Sequence, residues 1–341
     1  MIDKSTKKFP LAKYLLAFFL VVFLIVLVLK FSDLKEFVLI LKNGIWYYLI
    51  IIFILQILYI ISQSMVYLKL YPIFGRKGDL WETINIFLAT NFINLSLPLS
   101  GITGVITFIG YGAKIGLSKT QALFINVLFY ICVFLSFSFL TLSLIFFPKE
   151  LKLLNSAEIT TILVFIFVVV ILTILFLLMI AYEKFFLNMI NFAVNFTNKI
   201  SQYILKRKII FKEKLEQIIS EASVFRLVVS KNKKIFALPL LYSFTGHLIH
   251  FLLLYFVFLA FGANVMPIIP LIGYIISVVF IIISVTPSGI GIVEPLMILY
   301  FTSSGVSLEL ATIVTLIFRG VVFWLPFFLG FFSIKKLQSV D

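Results

Sequence analysis

The chain has 341 residues, 62% of them hydrophobic and 12% charged, with 41 Phe and a mean hydropathy of +1.20. Soluble domains carry roughly 25% charged residues, so an ordinary soluble domain is excluded and the medium around most of this chain is lipid. The formal net charge of +14 falls between and beside apolar stretches, the pattern of a membrane protein's loops rather than of a nucleic-acid surface.

Lys4, Lys7, Lys8 and Lys13 precede a first apolar stretch, 14–29. It resembles a secretory signal, but no small-x-small cleavage site follows before Phe31-Ser32-Asp33, and an uncleaved anchor is expected. Further runs at 43–68, 120–148, 159–182 and 235–261 reach or approach the roughly 20 residues that a spanning helix needs. A sixth, 307–334, ends at Lys335 and Lys336 and carries Arg319 near its middle. Two more apolar regions, 82–113 and 270–304, are interrupted by NLSLPLSGITG and SVTPSGIGIVEP, with Pro98, Gly101, Gly104, Pro287, Gly289 and Gly291 at the breaks. Irregular backbone in a membrane is tolerated only where protein buries it or a cavity adjoins it.

Parity against charge chooses between a crossing and a hairpin, because each full crossing moves every later loop to the other side. The linker 183–234 holds eleven Lys or Arg against four Glu. With a cytoplasmic N-terminus, a hairpin at 82–113 keeps that linker inside, together with Arg76, Lys77, Lys114 and Lys119. A hairpin at 270–304 keeps Lys335 and Lys336 inside as well. The expectation is an all-α polytopic membrane protein of the cell membrane, with six full spans, two re-entrant broken-helix hairpins and both termini cytoplasmic. It forms one integral membrane domain, 1–341, containing two repeats of opposite orientation, 10–148 and 158–334. Offsetting the chain by 189 places Pro98 on Pro287, Ile109 on Ile298, Tyr111 on Tyr300, Gly116 on Gly305, Ser118 on Ser307 and Ala122 on Ala311. Inverted repeats with discontinuous helices are a recurring plan of secondary transporters. In the linker, Phe185, Met189, Phe192 and Phe196 recur at helical spacing among Lys184, Lys199 and Lys206-Arg207-Lys208, so an amphipathic helix along the inner leaflet, beside anionic headgroups, is expected.

Few residues here can carry chemistry. Glu294 and Arg319 are the permanently ionisable groups deep in the second half, and ionised groups at that depth face protein or water and find partners. They form a structural pair, contact a charged headgroup or coupling proton, or do both. His247 and His250 lie three apart on one span, suited to hydrogen bonding, proton handling or headgroup contact, and two His without a third ligand make a poor metal site. Gln56, Tyr59, Gln63 and Tyr67 form a polar stripe, and Asn91, Asn94 and Ser100 lie around the first break. Such stripes serve helix packing or line a polar path. Cys132 is the single cysteine, so an intrachain disulfide and a cysteine-based zinc site are excluded. No P-loop, GxSxG, HExxH or aspartate pair occurs. Asp33 and Glu36 read as a solvated loop. No cofactor and no metal are expected. The expected partners are membrane lipids, with no nucleic acid, and the oligomeric state stays open.

The stretch PSGIGIVEPLMILYFTSSGVSLELATIVTLIFRGVVFWLPFFLG, 287–330, resembles the C-terminal signature of the lysylphosphatidylglycerol synthase transmembrane, or flippase-like, family. The order of Pro287, Glu294, Gly305, Arg319 and Pro326 carries the likeness, which extends over nearly the whole chain. The first motif, Asn91 to Ala122, is similar in layout, but Ser-Gly-Ile-Thr-Gly stands where many members place an Arg or Glu, which weakens any headgroup contact there. The resemblance implies a flippase half without the fused aminoacyl-transferase domain, so lysyl transfer is not expected of it. It supports translocation of a lipid or amphiphile as a class. The alternatives are a membrane-embedded enzyme acting on lipid-linked sugar or phosphate, and a non-transporting subunit of a complex.

Overall fold

A computed structural model describes residues 44–96, 102–146, 156–205, 212–231, 233–284 and 286–338. These residues are helical, with no strand among them. In chain order the helices are α1 (Trp46–Leu70), α2 (Leu80–Ser96), α3 (Ile102–Gly112), α4 (Lys119–Leu142), α5 (Ser156–Ala181) and α6 (Glu183–Leu205). They continue as α7 (Lys212–Lys231), α8 (Ala237–Ala260), α9 (Ile268–Ile283), α10 (Val293–Ser303), α11 (Leu308–Arg319) and α12 (Leu325–Gln338). Five helical stretches among the described residues are long and apolar enough to cross a bilayer: Trp46–Phe74, Lys119–Leu142, Ile162–Met179, Lys234–Ala260 and Leu308–Leu337. They correspond to five of the six expected spans, and the expected span at 14–29 lies outside the described residues. So do Pro98, Ser100 and Gly101, and the basic run Lys206-Arg207-Lys208.

The two interrupted regions each divide into a pair of shorter helices, α2 with α3 and α9 with α10, and the members of each pair pack on one another. The turn after each pair uses the same local chemistry. Gly116 and Gly305 take φ of 73° and 87°, a left-handed conformation open to glycine. Two residues later Ser118 and Ser307 cap α4 and α11, their side chains accepting from the N–H of Gln121 and Leu310. Ser118 closes a full capping box, since the Gln121 side chain accepts from its N–H. A π turn, Gly320–Trp324, joins α11 to α12 without ending the span.

The centre of the bundle is the antiparallel pair α1 and α8, tied by Ile45 N–H to Ala260 O at 2.9 Å and by Ser62 Oγ to Tyr242 O at 2.6 Å. Lipid offers no hydrophobic drive for helices to associate, so close packing has to come from small residues at the contact. Gly246 on α8 serves this purpose: a Cβ there would stand 2.0 Å from Gln63 Nε2. Gly330 does the same where α12 lies on α2. A Cβ there would meet Leu88 O at 2.4 Å, and the Phe92 ring lies 4.7 Å from that of Phe327. By contrast α5 leaves Leu163, Phe167 and Leu177 about 60% exposed, as expected of a helix whose neighbour is lipid.

The basic linker is a pair of helices. Phe186, Ile190 and Val194 of α6 and Ala222, Phe225 and Val229 of α7 are buried in one apolar cluster with the C-terminal end of α1 and the N-terminal half of α4. Phe225 stacks on Phe124 at 4.7 Å and on Phe74 at 6.2 Å, Ser118 donates to Glu221, and Arg226 pairs with Glu183 at 3.1 Å. Lys114 donates to Leu337 O. Arg76, Lys114, α7 and the end of α12 are thereby gathered at one end of the bundle.

Candidate functional site

A cavity of about 320 Å³ lies among α1, α2, α4, α8, α9 and the α11–π turn junction. Its volume is at the low end for small-molecule sites, about 300–1,000 Å³. Tyr59, Gln63 and Tyr67 of α1 face His247 and His250 of α8. Thr90, Asn91 and Asn94 come from α2, Tyr274 and Ser277 from α9, and Ser288 from the second break. Much of the rest of the wall is aromatic and aliphatic, Phe129, Tyr130, Val133, Phe134 and Phe137 of α4 with Phe318, Val322 and Phe323, and Arg319 stands among them.

Arg319 reaches the wall through a fixed network. Its Nε donates to Glu294 Oε1 at 2.7 Å and its Nη2 to Ser288 O at 2.6 Å. The second Glu294 oxygen accepts from Gly291 N–H at 2.7 Å, at the start of α10, where a carboxylate also favours the helix dipole. The broken backbone, with Ser288 at φ 49° and Gly289 at φ 71°, is therefore held to the last span by an ion pair whose side chains are 18% and 7% exposed. The two readings of this pair overlap: it locks the break, and Arg319 also faces the cavity while Glu294 stands behind it.

His247 is engaged on both ring nitrogens. Val133 O, which can only accept, lies 3.0 Å from Nε2, so Nε2 carries the hydrogen and Nδ1 accepts from the Tyr274 hydroxyl at 2.7 Å. His250 stacks on Tyr59 with centroids 3.4 Å apart, and its Nε2 donates to Gln56 Oε1 at 3.1 Å. Both histidines thus organise the wall. Among the described residues no three His, Cys, Asp or Glu cluster as metal ligands would.

In the first half Asn94 has the corresponding bracing role. Its Oδ1 accepts from Gly104 N–H at 2.7 Å and from Thr103 Oγ1 at 3.3 Å, and its Nδ2 donates to Tyr130 Oη at 3.4 Å. Gly104 has to be glycine, because a Cβ there would sit 2.2 Å from the Asn94 amide. Gln63 Nε2 and Thr90 Oγ1 are buried and have no hydrogen-bond partner among the described residues, although both residues line the cavity. The structure brings Arg319, His247, His250, Asn91, Asn94 and Gln63 to one cavity, with Glu294 directly behind. Tyr130 and Tyr274 were not expected as site residues. For Tyr130 the offset of 189 was the one signal, since it places Phe129 on Phe318, Tyr130 on Arg319, Val133 on Val322 and Phe134 on Phe323, and all eight line the cavity.

Fold and site together define a multi-pass helical membrane protein with a small aromatic-walled cavity between its helices. The chain belongs to the family of the lysylphosphatidylglycerol synthase TM region, whose profile matches residues 14–330. It is similar to the UPF0104 membrane protein PH1989 of Pyrococcus horikoshii, 34% identical over 129 residues, which cover 38% of each chain. It is also similar to a UPF0104 membrane protein of Methanothermobacter thermautotrophicus, 26% identical over 133 residues, covering 37% of this chain and 39% of that one. The matched stretches thus span well under half the length of these curated relatives. No solved structure matches the chain.

Proposed function

We propose that this protein is a flippase of the cell membrane that passes the polar headgroup of a phospholipid or lipid-linked molecule through the central cavity. The observation that carries this is the pair of buried, unpartnered polar groups, Gln63 Nε2 and Thr90 Oγ1, lining a cavity between membrane-spanning helices. Leaving such groups unsatisfied away from water is costly, which favours a site built to receive a polar visitor.

The mechanism rests on two inverted repeats meeting at the cavity. Four matched pairs of wall residues, the paired Gly and Ser turns at 116–118 and 305–307, and the antiparallel α1–α8 pair all support that arrangement. Hairpin geometry for α2–α3 is supported by Gly116 lying beside Arg76, a Cβ there being 3.1 Å from its guanidinium, so the chain leaves and returns at one end. For α9–α10 the supporting contact is at the other end, where the Phe258 and Phe301 rings lie 5.0 Å apart. The end that gathers Arg76, Lys114 and α7 is cytoplasmic by the positive-inside rule. Both termini lie there. The α6 face bearing Phe192 and Phe196, each more than half exposed, rests on the anionic inner leaflet with Lys184 and Lys199 beside it.

The test is movement of lipids with fluorescent acyl chains in proteoliposomes, comparing wild type with Glu294→Gln and Arg319→Met at matched incorporation. Headgroup-selective movement lost in both variants is expected. Movement no faster than in empty liposomes overturns the proposal.

A further inference from the structure

We infer that the headgroup taken by the cavity is an uncharged polyhydroxy ring, a sugar or cyclitol, and this rests on the flippase reading. Charge is the first argument. Among the described lining residues there is one permanent cation, Arg319, and no carboxylate or lysine. Glu294 neutralises that cation at 2.7 Å. A phosphate in the cavity would meet a guanidinium already paired, and an ammonium would meet no free carboxylate. Recruiting the Glu294 carboxylate means breaking a buried ion pair, and a phosphate on the remaining Arg319 Nη1 would bring a negative charge that the already neutralised pair leaves uncompensated. A neutral guest avoids that cost.

The shape and chemistry of the wall agree. Tyr59, Phe129, Tyr130, Phe134, Phe318 and Phe323 present rings to a cavity of about 320 Å³, room for one ring-sized group rather than an acyl chain. The electron-rich face of an aromatic ring attracts the weakly positive C–H hydrogens that a pyranose or cyclitol presents on its faces. Hydroxyl groups both donate and accept, and the unused groups in the wall suit them. Gln63 Nε2 donates, Thr90 Oγ1 donates or accepts, and both side chains are at least 96% buried with no partner among the described residues. Arg319 retains Nη1, which bonds to none of the described residues. A hydroxyl can accept from it without displacing Glu294. An ammonium, which only donates, could bond Thr90 Oγ1 but offers Gln63 Nε2 and Arg319 Nη1 nothing to bond to.

The experiment separates binding from movement. Three lipids with fluorescent acyl chains would be compared in phosphatidylcholine vesicles: monoglucosyldiacylglycerol, anionic phosphatidylglycerol and cationic lysylphosphatidylglycerol. Binding would be read as thermal stabilisation of the detergent-solubilised protein by each lipid, and movement as scrambling in proteoliposomes. The glucosyl lipid is expected to bind at least about 10-fold more tightly than either charged lipid. Gln63→Leu and Thr90→Val are expected to weaken that binding about 3- to 10-fold each, the usual range for one hydrogen bond, while binding of the charged lipids stays unchanged. Thr90→Val conserves shape, so loss of the fold would not explain a selective loss. Glucosyl binding without movement upholds the headgroup assignment and sinks the flippase reading. Preferential binding and movement of a charged lipid does the reverse. Stabilisation by none of the three overturns the assignment.

Discussion

Removing Arg319 tests how far the second break depends on its ion pair. In Arg319→Met two charge-assisted hydrogen bonds disappear, to Glu294 Oε1 and Ser288 O. The Glu294 side chain, 18% exposed, keeps one backbone partner, Gly291 N–H. Removing one member of a buried ion pair costs about 3–5 kcal/mol, and the low exposure of both side chains places Arg319→Met in that range. Glu294→Gln costs less, about 1–3 kcal/mol, because an amide oxygen still accepts from Arg319. With both substitutions no charge is stranded. The double variant is expected to be more stable than the sum of the single losses predicts, by about 2 kcal/mol. Reversible unfolding in detergent micelles, followed by near-ultraviolet circular dichroism, measures all four corners of the cycle. Additivity within about 0.5 kcal/mol, the limit for independent sites, would refute the claim that this pair holds the break to the last span.

Two glycines separate packing from function. Gly246→Ala pushes against the flexible end of Gln63, so it should cost under about 1 kcal/mol yet displace that amide and slow headgroup movement. Gly330→Ala pushes against Leu88 O in the α2 backbone and should cost about 1–3 kcal/mol, as overpacking does. Equal melting temperatures for the two variants would contradict this reasoning. Replacing Phe192 and Phe196 with Ser should reduce stabilisation by anionic vesicles and leave stability in neutral micelles within about 0.5 kcal/mol, because both rings are exposed. Loss of the fold in micelles would place those rings inside the protein. A cysteine replacing Lys208 in a Cys132→Ala background should resist an impermeant thiol reagent added outside whole cells. Ready labelling would reverse the proposed orientation.

Some of the site was legible in the sequence because lipid is an unforgiving solvent. An ionised Glu294 and Arg319 could not both be buried in apolar spans without a partner, and the structure pairs them at 2.7 Å. The Pro, Gly and Ser clusters at 284–291 had to interrupt a helix, and the helices there do end and restart. Other assignments needed the third dimension. Gln56 and Gln63 lie on one helical stripe with the same chemistry, yet Gln56 accepts from His250 through Oε1 and stands away from the cavity, while Gln63 lines it. Periodicity places both on one face and says nothing of what stands opposite. The aromatic wall was hidden for a related reason: where a lipid-facing surface is as apolar as a packed one, the hydrophobic pattern that marks a soluble core loses its contrast. The 189-residue offset that sets Tyr130 on Arg319 and Phe134 on Phe323 gained its meaning when the tertiary structure brought these residues to one cavity.

The sequence by itself determined the medium, five spans that the structure describes and the two interruptions, and it offered the ion pair as one of two overlapping readings, because each follows from the cost of placing polar groups in hydrocarbon. Only the tertiary structure decided which polar side chains are consumed in packing and which line the cavity without a partner among the described residues, because that depends on what the neighbouring helix offers each hydrogen-bonding group.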